Sequence, residues 1–72
     1  MLNINLPNRI KFLREKKGYT QQYVADVLGV HRSTYSYYET GKTEPSLDSI
    51  IKLSNLYDIS LDRLLKRQSR KH

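Results

Sequence analysis

The 72-residue chain contains no cysteine. Neither a disulfide framework nor a thiolate metal site can hold it together, so its stability has to come from side-chain packing. No apolar run is long enough to span a bilayer. The segment from Met1 to Pro7 lacks the basic start and long apolar stretch of a secretory signal, and the cytoplasm is the expected location. The two histidines, His31 and His72, lie far apart, and no His-x-x-x-His pair or Gly-rich phosphate loop occurs. No metal, cofactor or small-molecule ligand is therefore expected, and nothing points to an enzyme. Isolated Ser, His and Asp residues carry no weight without geometry. The length suits one small domain, without a second core or a sensing module, and chains this small often pair with a copy.

What the chain does have is positive charge. Lys and Arg total 13 against 7 Asp and Glu, a formal net charge of +6. Such an excess suits a polyanion, because each phosphate neutralised releases condensed counterions. Solubility alone would also account for it. Arg9, Lys11, Arg14, Lys16 and Lys17 crowd one early segment, and Lys66, Arg67, Arg70 and Lys71 crowd the end.

The patterning is helical throughout, with no sustained alternation of apolar and polar residues. A first helix is expected to follow Pro7, with Ile10 and Leu13 facing inward and Phe12 a further candidate, and to stop before Gly18. Thr20 has the chemistry to cap a second helix whose inward residues are Val24, Ala25 and Leu28, ended by Gly29. A third runs from about Arg32 to Glu39 and closes at Gly41. Pro45 keeps Lys42 to Pro45 a loop. Ser46 should cap a fourth helix, with Asp48 near the positive end of its dipole. Leu47, Ile50, Ile51, Leu53, Leu56 and Tyr57 form its broad apolar face. Ser60 repeats the capping signature for a short fifth helix carrying Leu64 and Leu65. The expected architecture is all-α, five short helices around one core, as one domain over residues 1–66 followed by a basic, flexible tail over 67–72.

Within this pattern, Thr20 to Gly41 holds two short helices separated only by Gly29-Val30. That is the sequence form of a helix-turn-helix, the unit that lays its second helix in the DNA major groove. Duplex DNA is the partner this nominates. The reading helix carries one cation, Arg32, so polar and aromatic groups would do much of the reading.

Three further stretches join the motif: Leu13-Arg14-Glu15-Lys16-Lys17-Gly18-Tyr19-Thr20-Gln21, then Val30 to Gly41 with its Tyr-x-x-Tyr-Glu-x-Gly-Lys, then Pro45-Ser46-Leu47. With Ile59-Ser60-Leu61-Asp62-x-Leu64-Leu65, they resemble the lambda-repressor-like family of the Cro and phage-repressor type, also called the xenobiotic-response-element family. The resemblance covers about residues 8 to 66. It implies a five-helix, DNA-binding domain, commonly a homodimer on a two-fold-symmetric operator.

The resemblance also implies roles. Gln21 matches a glutamine that touches a DNA phosphate and braces the reading helix, at a helix start where backbone N–H groups favour an anion. Otherwise it is an ordinary exposed side chain. Gln22 is a second phosphate candidate. Arg32, Ser33, Ser36 and Tyr37 should project from the core as the base-reading set. The Arg32 guanidinium could grip guanine O6 and N7, worth about 1–3 kcal/mol of discrimination, or take a phosphate instead. Tyr37 could pack on a thymine methyl or use its hydroxyl. His31 stands where Ser or Thr usually caps, caps poorly, and is a phosphate candidate, as are Thr34, Lys42 and Thr43. Tyr35 matches a buried aliphatic position, and its hydroxyl needs an outlet. Tyr38 matches a half-buried position within reach of a phosphate. Arg14 and Glu39 match a mostly buried ion pair joining the first and third helices, whose disruption can cost about 3–5 kcal/mol.

Two functions compete on these residues. The first is a sequence-specific transcriptional regulator, a repressor, reading a palindromic operator as a homodimer through Leu47, Ile51, Ile59 and Leu61. The second is a protein-interaction module on the same fold, such as a toxin-binding antitoxin, with DNA binding secondary. A non-specific, charge-driven nucleic-acid binder is a third possibility.

Overall fold

A computed structural model describes residues 5–65. The expected tail over 67–72 and its cations lie outside the described residues. Five helices follow in order: α1 (Leu6–Lys17), α2 (Gln21–Leu28), α3 (Arg32–Thr40), α4 (Leu47–Leu56) and α5 (Leu61–Leu64). This is the all-α, five-helix arrangement expected. α1 starts one residue before Pro7, which sits in its first turn, where a missing N–H leaves no helix bond unmade.

The caps explain why the elements stop and start where they do. Thr20 Oγ1 accepts the Tyr23 N–H at 3.0 Å, Ser46 Oγ the Ser49 N–H at 3.1 Å and Ser60 Oγ the Arg63 N–H at 3.2 Å. Each satisfies one of the orphan donors of a first turn, worth roughly 1 kcal/mol. His31 precedes α3 in an extended conformation with no side-chain cap bond, as its chemistry implies. Gly29, at φ 75°, makes the turn between α2 and α3. Its left-handed conformation brings the Val30 N–H back to the Ala25 carbonyl at 3.0 Å, and a side chain there would be strained.

α3 packs against both α1 and α2, α2 against α4, and α4 against α5. Ile10, Val24, Ala25, Leu28, Tyr35, Tyr38, Leu53, Tyr57 and Leu64 form the core, with Leu6, Leu13, Tyr19, Val30, Ile50, Leu56 and Ile59 partly buried around it. Polar links fix the outer helices to this centre. Lys52 Nζ lies 3.1 Å from Asp48 on its own helix and donates to the Leu28 carbonyl at 3.4 Å, placing a cation at the negative end of α2. Arg9 Nη1 donates to the Leu64 carbonyl at 2.7 Å and the Arg63 carbonyl at 3.1 Å, joining α1 to the end of α5. Ser54 Oγ donates to the Ile59 carbonyl at 2.7 Å and closes the turn between α4 and α5.

Two apolar expectations are corrected. Phe12 is 61 % exposed, because it sits two residues beyond the buried Ile10, about 200° around the helix. Its ring lies beneath the Lys16 ammonium, 5.8 Å from the centroid. The inward face of α4 is also narrower than the run of apolar residues implied. Leu53 and Tyr57 are buried and Ile50 and Leu56 partly so, whereas Leu47 is 67 % and Ile51 40 % exposed. α4 packs against α2 and α5, and among the described residues nothing covers Leu47 and Ile51 to the same extent.

Chemical denaturation separates the two kinds of apolar position on α1. Ile10→Ala is expected to lose about 2–5 kcal/mol through the cavity it leaves. Phe12→Gln should stay within about 0.5 kcal/mol of the parent. A large loss for Phe12→Gln would contradict its exposed placement.

Candidate nucleic-acid interface

The third helix has two sides of opposite character. Arg32 and Ser33 are exposed at its start, and four residues on from each come Ser36, half buried, and Tyr37, 41 % exposed. Residues four apart share one side of a helix, so these four side chains make a single outward edge. Behind it Tyr35, Tyr38 and Glu39 are buried. The expected reading set is thus brought together, with Ser36 less open than the other three. Thr34 is half buried between the two sides, and His31, Lys42 and Thr43 are exposed at the two ends of the helix.

Tyr38 is a correction. Expected half buried and able to reach a phosphate, it is 5 % exposed, and its ring packs edge-on against Tyr35 with centroids 6.1 Å apart. Core packing claims its ring, while its hydroxyl, unlike that of Tyr57, is not buried without a partner. Tyr37, by contrast, is held from outside. The Lys42 ammonium lies 4.9 Å from its ring centroid, a cation–π contact that ties a base-reading candidate to a phosphate candidate. Gln22 spends its amide on Asp26 of its own helix, Nε2 to Oδ1 at 2.9 Å.

The buried side of α3 is organised around Glu39, which is 6 % exposed. Arg14 on α1 grips it with two parallel bonds, Nε to Oε2 at 2.6 Å and Nη2 to Oε1 at 3.2 Å, the fork geometry that suits guanidinium and carboxylate. Arg14 Nη1 also donates to the Tyr19 carbonyl at 3.0 Å, just before α2. The Tyr35 hydroxyl, whose outlet was in question, donates to Glu39 Oε2. Gln21, the first residue of α2, donates from Nε2 to Glu39 Oε1 at 3.1 Å. One carboxylate therefore receives donors from α1, α2 and α3.

The titration of these groups follows from that arrangement. Burial pushes the Glu39 carboxyl up, but the hydrogen bonds from Arg14, Tyr35 and Gln21 outweigh it and hold the group below its ordinary value. The same bond to Glu39 raises Arg14 against the opposing effect of burial. Burial, and then the bond to Glu39, push the Tyr35 phenol far up, so it stays a donor. Tyr57 at the end of α4 is pushed up to about 12, first by burial and then by the Glu39 charge. Its hydroxyl is buried with no hydrogen-bond partner among the described residues. The ring stacks on Tyr19, centroids 6.2 Å apart, and Tyr19 in turn packs on Tyr23 at 4.7 Å.

The ion pair of Arg14 and Glu39 stands as the resemblance implied. Two features were not read from the sequence. The resemblance implied that Gln21 braces the third helix, but not that it does so through Glu39, 18 positions on. The bond within α3 from Tyr35 to Glu39 could have been found, since the two stand four apart on one helix face.

A short turn between two packed helices, an exposed edge on the second and a cation-rich first helix define a helix-turn-helix domain. The chain belongs to the helix-turn-helix family, whose model matches residues 10–64, and within it to the lambda-repressor-like, phage-repressor type. Over 64 residues it is 44% identical to the HTH-type transcriptional regulator AnsR of Bacillus subtilis (strain 168), across 89% of this chain and 55% of that protein. It is 52% identical over 58 residues to the SPbeta prophage-derived HTH-type transcriptional regulator YonR of the same organism, across 81% of this chain and 54% of that protein. The chain thus spans about half the length of these curated relatives. Among solved structures it resembles the P22 c2 repressor protein in complex with a synthetic operator, with a TM-score of 0.79 and 30% identity. That match covers 88% of this chain and 96% of the repressor chain.

Acid titration tests the role of Glu39. A depressed carboxyl stabilises the fold fully above the unfolded glutamate value, about 4.3, and ceases to do so as pH falls through its lower folded value. Denaturation of the parent and Glu39→Gln should therefore show a gap at pH 7 that narrows below about pH 4. A gap unchanged by acid would contradict an ionised, structural Glu39.

Proposed function

We propose that the chain is a sequence-specific DNA-binding domain of a transcriptional regulator, a repressor that reads the major groove with α3. The observation that carries this reading is the two-sided third helix. Arg32, Ser33, Ser36 and Tyr37 stand together outward, while every buried group of that helix is committed to the fold. A helix that served only as scaffold would not need this open polar and aromatic edge. Arg32 and Tyr37 are the groups fitted to base edges, and Gln21, His31, Thr34, Lys42 and Thr43 to the flanking phosphates. Gln22 contributes less, its amide being engaged by Asp26. Tyr38, buried at its ring, offers at most its hydroxyl to such a contact.

The likeness to a repressor bound to its operator supports the same reading, as do relatives named as transcriptional regulators. The protein acts in the cytoplasm as a homodimer on a palindromic operator. The exposed Leu47, Ile51 and Leu61 and the partly buried Ile59 are the apolar side chains available to a two-fold dimer, which needs a self-complementary surface.

Selection of bound duplexes from a random pool tests this function. The expected product is two half-sites related by a two-fold axis, bound with an affinity that falls steeply with salt. Arg32→Ala should lose about 1–3 kcal/mol on the selected site and relax preference at one position of each half-site. A pool that yields no common sequence, or a loss equal on all sequences, would contradict base reading by Arg32.

A further inference from the structure

Tyr37 is the one aromatic group on the outward edge of α3, and its side chain stands in solvent, 41 % exposed. An exposed side chain is distributed over its staggered wells unless a neighbour selects one. The chain that follows α3 supplies that neighbour. Gly41, left-handed at φ 82°, turns the backbone over the end of the helix. The Lys42 N–H then donates to the Tyr37 carbonyl at 3.0 Å, and the Thr43 N–H to the same oxygen at 3.4 Å. The Thr40 hydroxyl donates there as well, at 3.2 Å. Lys42 is thus tied by its own backbone to the residue whose ring its ammonium covers, 4.9 Å from the centroid.

The ammonium takes one face of that ring, drawn there by the negative potential of the π-system. The other face stays open to an apolar partner, and the apolar group a base edge offers in the major groove is the thymine methyl. An ammonium also has three N–H bonds, so those directed away from the ring remain for a phosphate. We infer that Lys42 is a positioning residue for base reading: it holds the Tyr37 ring in the orientation whose open face meets a thymine methyl, without touching a base itself. The inference rests on the DNA-binding reading above and goes beyond it. A lysine that only met a phosphate would carry no sequence information, whereas this one sets a preference through its neighbour.

Selection of duplexes from a random pool by the full chain and by Tyr37→Ala, Lys42→Met and Lys42→Arg tests this. The position at which Tyr37→Ala alters the preference marks the base pair that Tyr37 reads, and the parent should favour thymine there. Lys42→Met keeps an unbranched stem without the charge. It should weaken that preference about two- to fivefold, the range of one exposed cation–π contact. Lys42→Arg, which still offers the ring a cation, should keep it. A loss in Lys42→Met that is equal on all sequences would overturn the inference and leave Lys42 a phosphate contact. A preference lost as deeply in Lys42→Arg, or untouched by Tyr37→Ala at every position, would overturn it too. A parent that selects no common sequence would overturn the DNA-binding reading itself and the inference with it.

Two further readouts isolate the contact. Uracil in place of the selected thymine removes only the methyl, so the parent should bind that duplex more weakly and Lys42→Met should discriminate less. In the Tyr37→Ala background, Lys42→Met should weaken both duplexes equally, and an unequal effect there would show that Lys42 acts without the ring. In the free protein, nuclear magnetic resonance should find the Lys42 ε-methylene protons shifted upfield by the Tyr37 ring current, a shift that Tyr37→Ala abolishes. Unshifted protons would overturn the contact and the inference with it.

Discussion

The structure depends on one buried negative charge. Glu39 would be unfavourable where it lies if it were alone, since desolvation of an unpaired carboxylate costs several kcal/mol. It is tolerated because Arg14, Tyr35 and Gln21 surround it with donors from α1, α3 and α2. The constraint runs in both directions. The donors need the carboxylate as much as it needs them, because the Tyr35 hydroxyl is buried with it and Arg14 is mostly enclosed. The angle between the reading helix and its two neighbours is thereby set by directional bonds, and not by apolar contact alone.

That economy suits a chain this small. A few fully buried side chains, Ile10, Val24, Tyr35, Leu53 and Leu64 among them, make up the centre, and domains of this size bury a limited fraction of their surface. Directional bonds then decide between packings of similar apolar area. The division of labour on α3 follows. Tyr35, Tyr38 and Glu39 are spent on position, leaving Arg32, Ser33, Ser36 and Tyr37 to face outward. Two groups at this surface are held in place by others. Tyr37 is held by Lys42, and the start of α2 by Glu39.

Much of this was legible in the sequence where the cause is local. The caps at Thr20, Ser46 and Ser60 act within three residues, and Gly29 acts on its own backbone, so their chemistry could be read directly. The burial of Tyr35 and the pair of Arg14 with Glu39 came from the resemblance, which carries tertiary information that periodicity lacks. The failures share a cause. Phe12 lies within three residues of two inward positions, and only the angle around the helix separates them. How far Tyr38 is buried is set by how closely Tyr35 approaches. The bond from Gln21 to Glu39 depends on the crossing of two helices. None of these is a property of a local segment.

The central claim is that Arg14 and Glu39 are coupled partners in a buried network and not two independent contributors. Unfolding free energies of Arg14→Met, Glu39→Met and the double variant measure that coupling directly. Each single change strands a charge and is expected to lose about 3–5 kcal/mol. The double variant strands neither, and its loss should fall short of the sum of the two by about 2 kcal/mol or more. Losses that add to within about 0.5 kcal/mol would contradict the account.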